Sequence, residues 1–186
     1  MRAQPRKQQL IDTAFTLFNE HGYHATGIDW ILNQSGVAKA TLYKHFASKD
    51  DLILAVLKQR HDNLYASTKS MLEKASEESD CPVLQVFDQL HDWFNDKHYF
   101  GCNFIKACAE YADESSEIHR YAAGHKESMR ELLLEYLDEP DLELRRWQAE
   151  ALSLLIDGAI VSAQVCGSKN AALTARTAAE HLLAQR

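Results

Sequence analysis

Apolar residues recur at helical spacing along the whole chain. Leu10, Ala14 and Phe18 follow one another four apart, with Ile11 and Phe15 beside them. Pro5 to His21 therefore reads as an amphipathic helix that Gly22 ends. A second, short helix is predicted from Thr26 to Ser35, with Ile28, Ile31 and Leu32 on one face. Thr26 is its expected cap, because a hydroxyl can accept a bond from an orphan N–H, and Asp29 suits the positive end of the helix dipole. After Ser35-Gly36-Val37, a third helix from about Lys39 to Phe46 carries Leu42, Tyr43 and Phe46. Ser48 then caps a long fourth helix with Asp50 and Asp51 in its first turn. Its apolar face takes in Leu52, Ile53, Val56, Leu57, Leu64 and Met71, and it runs to about Ala75. Residues 76–80 are polar and unperiodic, so a loop is expected there.

The second part of the chain continues the pattern. Pro82 suits the first turn of a fifth helix bearing Val83, Val86, Phe87, Leu90, Trp93 and Phe94. Gly101 interrupts, and further helices are predicted at about Cys102–Tyr111, Ile118–Leu137, Leu142–Val165 and Ala171–Leu183. Glu139-Pro140 breaks the chain before the eighth. With 7 Gly and 3 Pro in 186 residues, breakers are few. The fold class is all-α, about nine helices: an N-terminal three-helix domain over residues 1–50 and a larger helical domain over 51–186.

Charge sharpens this division. The net charge is −7, yet residues 1–60 hold eight Lys/Arg against five Asp/Glu, and the rest holds twelve against twenty-two. The first third is mildly basic, and the acidic remainder cannot be the surface that meets a polyanion. Met1 to Gln9 is polar and basic rather than the apolar core of a signal peptide. The longest apolar run, Ala149 to Val165, contains Glu150, Asp157 and Gln164 and is short for a membrane span. A cytoplasmic protein without a membrane partner is expected. Cys81, Cys102, Cys108 and Cys166 show no paired spacing, so reduced thiols are expected rather than a disulfide framework.

Two short helices joined by a glycine turn and packed on a preceding helix describe a helix-turn-helix, whose second helix enters the DNA major groove. Val37 would plug the angle, and Leu42 and Phe46 would anchor the third helix to the core. That leaves Lys39, Ala40, Thr41, Tyr43, Lys44 and His45 for the exposed side. Lys39 and Ala40, at the helix start, are candidates for base edges. Thr41, Tyr43 and Lys49 are candidates for phosphate oxygens, Lys49 at a helix N-terminus that favours an anion, and Thr26 is a further candidate DNA contact.

The same residues resemble the TetR family of bacterial transcriptional regulators. The resemblance lies in the Phe18, Gly22 and Tyr23 helix end, the Thr26 start, the Ser35-Gly36-Val37 turn, Thr41-Leu42-Tyr43 followed by His45-Phe46, and Ser48-Lys49 with Leu52. It covers roughly the first 50 residues. Two positions depart from the usual pattern: Trp30-Ile31-Leu32 stands in the second helix where an Ile-Ala pair is common, and Ala40 where a Gly is common. The resemblance implies a homodimer that binds a double-stranded operator palindrome, and repression relieved by a small-molecule effector.

For the effector, the aromatics of the fifth to seventh helices, Trp93, Phe94, Phe104, Tyr111 and Tyr121, are the candidate pocket lining, and the expected ligand is apolar or aromatic. For the dimer face, Leu155 together with the small residues Gly158, Ala159, Ser162, Ala175 and Ala179 would let helices approach closely. Cys102, after Gly101 at a predicted helix start, is a candidate electrophile or oxidant sensor. No tight metal-ligand motif, catalytic triad order or glycine-rich phosphate loop is recognisable, so neither a metal, a cofactor nor an enzyme is expected. The competing class is a helical ligand-binding protein or enzyme whose helix-turn-helix is structural only.

Overall fold

The computed structural model describes residues 5–184, and among these the chain is all-helical. The helices are α1 (Arg6–His21), α2 (Ile28–Ser35), α3 (Lys39–His45), α4 (Lys49–Glu78), α5 (Gln85–Asn95), α6 (Asn103–Glu110), α7 (Glu117–Glu135), α8 (Leu142–Cys166) and α9 (Ala171–Leu183). A 3₁₀ turn at Pro82–Leu84 precedes α5. Boundaries depart from expectation in two places. The predicted loop at 76–80 is helical as far as Glu78: the Ser76 hydroxyl donates to Leu72 O at 2.7 Å and Ser79 N to Ala75 O at 2.9 Å, which carries the helix past its apolar stripe. Pro82 starts the 3₁₀ turn rather than α5 itself.

Two compact units emerge. The first takes residues up to Asp62 together with Asn103–His125; the second takes Asn63–Cys102 and the chain from Lys126 onward. The first unit is built on Leu10, Ala14, Phe18, Tyr23, Ile31, Leu42, Leu52, Ile53, Leu57, Phe104 and Ala107, all essentially without exposure. These are the inward positions that the 3.6-residue period marks on each helix.

The second unit packs α5, α8 and α9 around Leu72, Val83, Phe87, Phe94, Leu132, Leu152, Ala172 and Ala179. Asp141 caps α8, its Oδ1 accepting from Glu143 N at 2.9 Å and Leu144 N at 3.0 Å. Gly167, left-handed at φ 67°, closes α8 and lets α9 fold back on it. Gly101, at φ 88°, packs so tightly on Gln164 that a Cβ there would lie 2.3 Å from that side chain. The Tyr99 hydroxyl donates to Ile160 O at 3.1 Å, and Lys169 donates to Phe94 O.

The eighth helix matches its expected span to within a residue; its 25 residues are by length and composition enough to cross a membrane, which the apolar run alone was too short to do. Within the second unit, however, it carries Asp157 paired with Lys126 and buries Gln148, Ala149, Leu152, Ala159, Ile160 and Ala163.

Candidate nucleic-acid interface

The interface starts with the turn between α2 and α3. Gly36 adopts the left-handed conformation (φ 64°, ψ 16°), and its N–H donates to Leu32 O at 2.9 Å. Ser35 is buried, and its hydroxyl accepts from Val37 N at 3.3 Å. Gln9 of α1 donates to Ser35 O at 2.7 Å, so the first helix holds the turn from behind. Val37, Leu42 and Phe46 are buried as anticipated. The opposite side of α3 presents Lys39, Ala40, Tyr43, Lys44 and His45 to solvent, with Thr41 half-buried at its flank.

The start of α4 completes the surface. Ser48 Oγ accepts from Asp51 N at 3.1 Å, and Asp51 Oδ2 accepts from Ser48 N at 2.9 Å. The reciprocal bonds form a capping box that fixes the helix entry beside Lys49. Lys49 Nζ donates to His24 O at 3.4 Å, and burial pushes its pKa down against the opposing pull of Asp50 and Glu110.

Three features went unseen in the sequence. Lys39 is paired across the turn with Asp29 of α2 at 3.2 Å; both are exposed, so the pair contributes about 0–1 kcal/mol and releases its lysine cheaply. Trp30 is exposed on α2, its ring 4.7 Å from that of His21. Third, the α1–α2 connection is clamped by Glu110 at the end of α6. Oε1 accepts from Tyr23 N at 2.9 Å and Oε2 from His24 N at 2.6 Å, while His24 Nε2 meets Glu110 O at 2.8 Å. Gly22 (φ 86°) makes room, since a Cβ there would sit 2.8 Å from Glu110 Oε1. The next residue, Tyr111, stacks on His24 with ring centroids 4.7 Å apart and donates to Asp50 Oδ1 at 3.3 Å. The sequence carries no signal for this clamp, because Glu110 lies 86 and 87 residues from its partners.

Thr26 is corrected. Gly27, not Thr26, occupies the cap of α2, and the fully buried Thr26 hydroxyl donates back to Gly22 O at 2.7 Å and Leu17 O at 3.3 Å. A hydroxyl already spent on two carbonyls inside the core is withdrawn from any phosphate.

The other expected sites are dispersed. Trp93 and Phe94 lie in the second unit with Tyr99, at ring distances of 4.8 and 5.2 Å from it, and Phe94 is fully buried. Phe104, Tyr111 and Tyr121 lie in the first unit. A cavity of about 250 Å³ in the second unit is lined by Arg130, Glu131, Leu134, Arg146, Ala149 and Glu150, none of them aromatic. Cys102 is buried and its N–H donates to Gln164 Oε1 at 3.3 Å, which works against access by an oxidant. Among the described residues no three His, Cys, Asp or Glu side chains are placed to hold a metal ion. On α8 and α9, Ala159, Ala175 and Ala179 are buried inside the chain's own packing, a correction to their expected place on a dimer face. Leu155 and Ser162 are half-buried and Gly158 is exposed. The large apolar residues left uncovered on these two helices are instead Leu142, Trp147, Leu154, Val161 and Val165 of α8 and Leu173 of α9.

Two tyrosines give a pH prediction. Burial, with the Cys102 charge adding to it, pushes Tyr99 up to about 12; burial and then Asp50 push Tyr111 to about 12. The fold thus favours their protonated forms. The stability they contribute is present below about pH 10 and is lost as pH rises toward the folded values. Absorbance of tyrosinate at alkaline pH should show a group of late-ionising tyrosines that includes Tyr99 and Tyr111, and Tyr111→Phe should remove one late step. Ionisation of all of them in one step near 10, in a chain still folded, would refute the assignment.

Residues 10–56 match the model of the bacterial regulatory proteins of the tetR family. Among curated proteins, the chain is similar to the HTH-type transcriptional activator FasR of Mycolicibacterium smegmatis, 42% identical over 72 residues, or 39% of this chain and 33% of that protein. The match thus spans about a third of that relative's length. It is also similar to the HTH-type transcriptional repressor ComR of Escherichia coli, 25% identical over 175 residues, covering 88% of this chain and 83% of ComR. Among solved structures, a TetR-family transcriptional regulator from Streptomyces coelicolor superposes with a TM-score of 0.82 at 29% identity, over 96% of this chain and 94% of that one.

Proposed function

We propose that the chain is a TetR-family, DNA-binding transcriptional regulator, a repressor that binds a palindromic operator as a homodimer in the cytoplasm and leaves it when a small apolar or aromatic molecule binds. The observation that carries this is the two-sidedness of α3. One side is sealed by Leu42 against the core, while Lys39, Ala40, Tyr43 and Lys44 are exposed on the other. Repression is supported by the name of the relative that matches over most of the chain.

In this reading residues 1–50 carry the DNA contacts and residues 51–186 carry the effector and the dimer face. Lys39 and Ala40 meet base edges. Tyr43, Lys44, His45 and Lys49 meet phosphates, and Thr41 flanks them. The helix α4, unbroken from Lys49 to Glu78, carries the effector's influence to the head. Release requires only that the effector favour the conformation that does not fit the operator. Such coupling is typically about 1–3 kcal/mol.

The test uses genomic fragments retained by the purified protein, sequenced to find the operator. Affinity should fall steeply with salt, as counterion release demands and as a purely structural helix-turn-helix would not show. Lys39→Ala should change the base preferred at one position per half-site, by about 1–3 kcal/mol. Tyr43→Phe should weaken all sequences by a similar factor. The opposite pattern would reverse the two assignments.

A further inference from the structure

One buried cluster in the first unit has no part in the interface. His61 of α4 and His125 of α7 face each other with their Nδ1 atoms 2.9 Å apart. His125 is buried and lies flat on Phe104 of α6, with ring centroids 3.5 Å apart and planes 12° apart. His61 is half-exposed, and its ring meets the edge of Tyr121 at 6.3 Å.

An Nδ1···Nδ1 contact of this length is a hydrogen bond, and it needs one N–H and one bare nitrogen. The ring with the bare Nδ1 is a neutral imidazole with its proton on Nε2. The closed pair therefore carries a charge of zero or one. A second charge would set two N–H donors against each other, with no acceptor between them.

We propose that the His61–His125 pair is a proton-operated switch: closed while one proton bridges the two Nδ1 atoms, and open when both nitrogens are protonated. The added proton comes from solvent through half-exposed His61. Imidazole is the side chain suited to act between pH 5 and 8.

Several other titratable groups stand around the pair, and His119 is an imidazole among them. The Tyr121 hydroxyl is pushed up by burial, with Asp62 adding to it. Asp62, next to His61, is exposed. Lys58 and Tyr65 lie one turn to either side of His61 on α4, and Cys108 lies one turn beyond Phe104 on α6. Lys106 is held on Asn19 O, His119 on Tyr111 O, and Lys126 on Asp157.

Opening the pair would part α4 from α6 and α7. The same α6 ends in the Glu110 clamp on Tyr23 and His24, and Tyr111 holds Asp50 at the start of α4. Acid would thus loosen the support of the helix-turn-helix, so the inference about output rests on the DNA-binding reading above.

The experiment titrates the full chain, with isotope-labelled histidine, from pH 7.5 to 5 by NMR, in wild type and in His61→Gln. The glutamine amide supplies a donor to His125 Nδ1 that does not titrate. In wild type, the second proton should arrive together with shifts of the α4 and α7 backbone, and operator affinity should fall on the order of tenfold over the same range. His61→Gln should lose that fall. His24, His45 and His119 are present in both proteins and so cancel in the comparison. Independent protonation of the two rings with an unmoved backbone would overturn the switch. So would equal pH dependence of DNA binding in wild type and variant. Should His61→Gln fail to fold, the wild-type ring titration decides alone. A protein that retains no DNA at any pH refutes the regulator reading, while the ring titration still tests the switch.

Discussion

Replacing Leu154 by arginine should yield a folded chain that no longer pairs. Leu154 is 68% exposed in the single chain, and Trp147 and Val161 stand seven residues to either side of it, also exposed. Seven residues are close to two helical turns, so the three lie in one stripe, which Val165 extends. A run of large apolar side chains open to water on one helix is the mark of a surface that another molecule covers. Under the proposed function that molecule is a second copy. In a twofold contact the substituted position occurs twice, so two guanidinium groups would be buried near each other without partners, at several kcal/mol. The dimer dissociation constant should rise by about a hundredfold or more, which is ~3 kcal/mol. Stability of the single chain should hardly change, because exposed substitutions stay within about ±0.5 kcal/mol.

Gly158→Leu gives a companion test. A Cβ at Gly158 meets nothing within 4 Å in the chain itself. Leucine there should favour the helix by roughly 0.5–1 kcal/mol, yet overfill a close contact between copies. Opposite signs for folding and for association would locate the contact. Sedimentation at micromolar concentration reads both variants. A wild-type chain that is monomeric there and binds a palindrome at full affinity would refute the pairing.

The second large effect is expected at Glu110. Its two carboxylate oxygens each take a backbone N–H, those of Tyr23 and His24. Hydrogen bonds to a charged group are worth about 1.5–3 kcal/mol each, and removing the acceptor strands the N–H groups. Because Glu110 is half-exposed, water recovers part of this, and Glu110→Ala should cost about 2–3 kcal/mol. The two amides should exchange hydrogen about thirtyfold faster or more. Glu110→Gln keeps one good acceptor and should fall between. Gly22→Ala should resemble Glu110→Ala, since its Cβ would displace the carboxylate. Operator affinity should fall in all three, because the clamp holds the connection from which α2 and α3 hang. Unchanged exchange at Tyr23 and His24 in Glu110→Ala would show that the clamp does not bear on the head.

The helices themselves were legible in the residues. Periods of 3.6, the Gly22 and Gly36 breaks and the Ser48 cap act over a few neighbours, and local rules read them directly. Val37, Leu42 and Phe46 were placed inward because a helix with one apolar stripe has one way to face a core, and they are buried. Thr26 went wrong for an equally local reason. A threonine before a helix can accept from that helix or donate back to the one before, and the α1–α2 packing selects the second.

The rest required distant residues to meet. His61 and His125 are 64 positions apart, and Glu110 is 87 from Tyr23, so no window of sequence contains either contact. On α8 the difficulty is different. Its stripes are apolar on several sides, and periodicity reports that a side is apolar without reporting what covers it. Ala159 packs inward, as do Ala175 and Ala179 on α9, because small side chains let these two helices close on each other. The larger Trp147, Leu154 and Val161 are thereby turned outward. Helix formation is local and is written along the chain. The choice of which apolar face a helix keeps for itself is made only when its neighbours arrive.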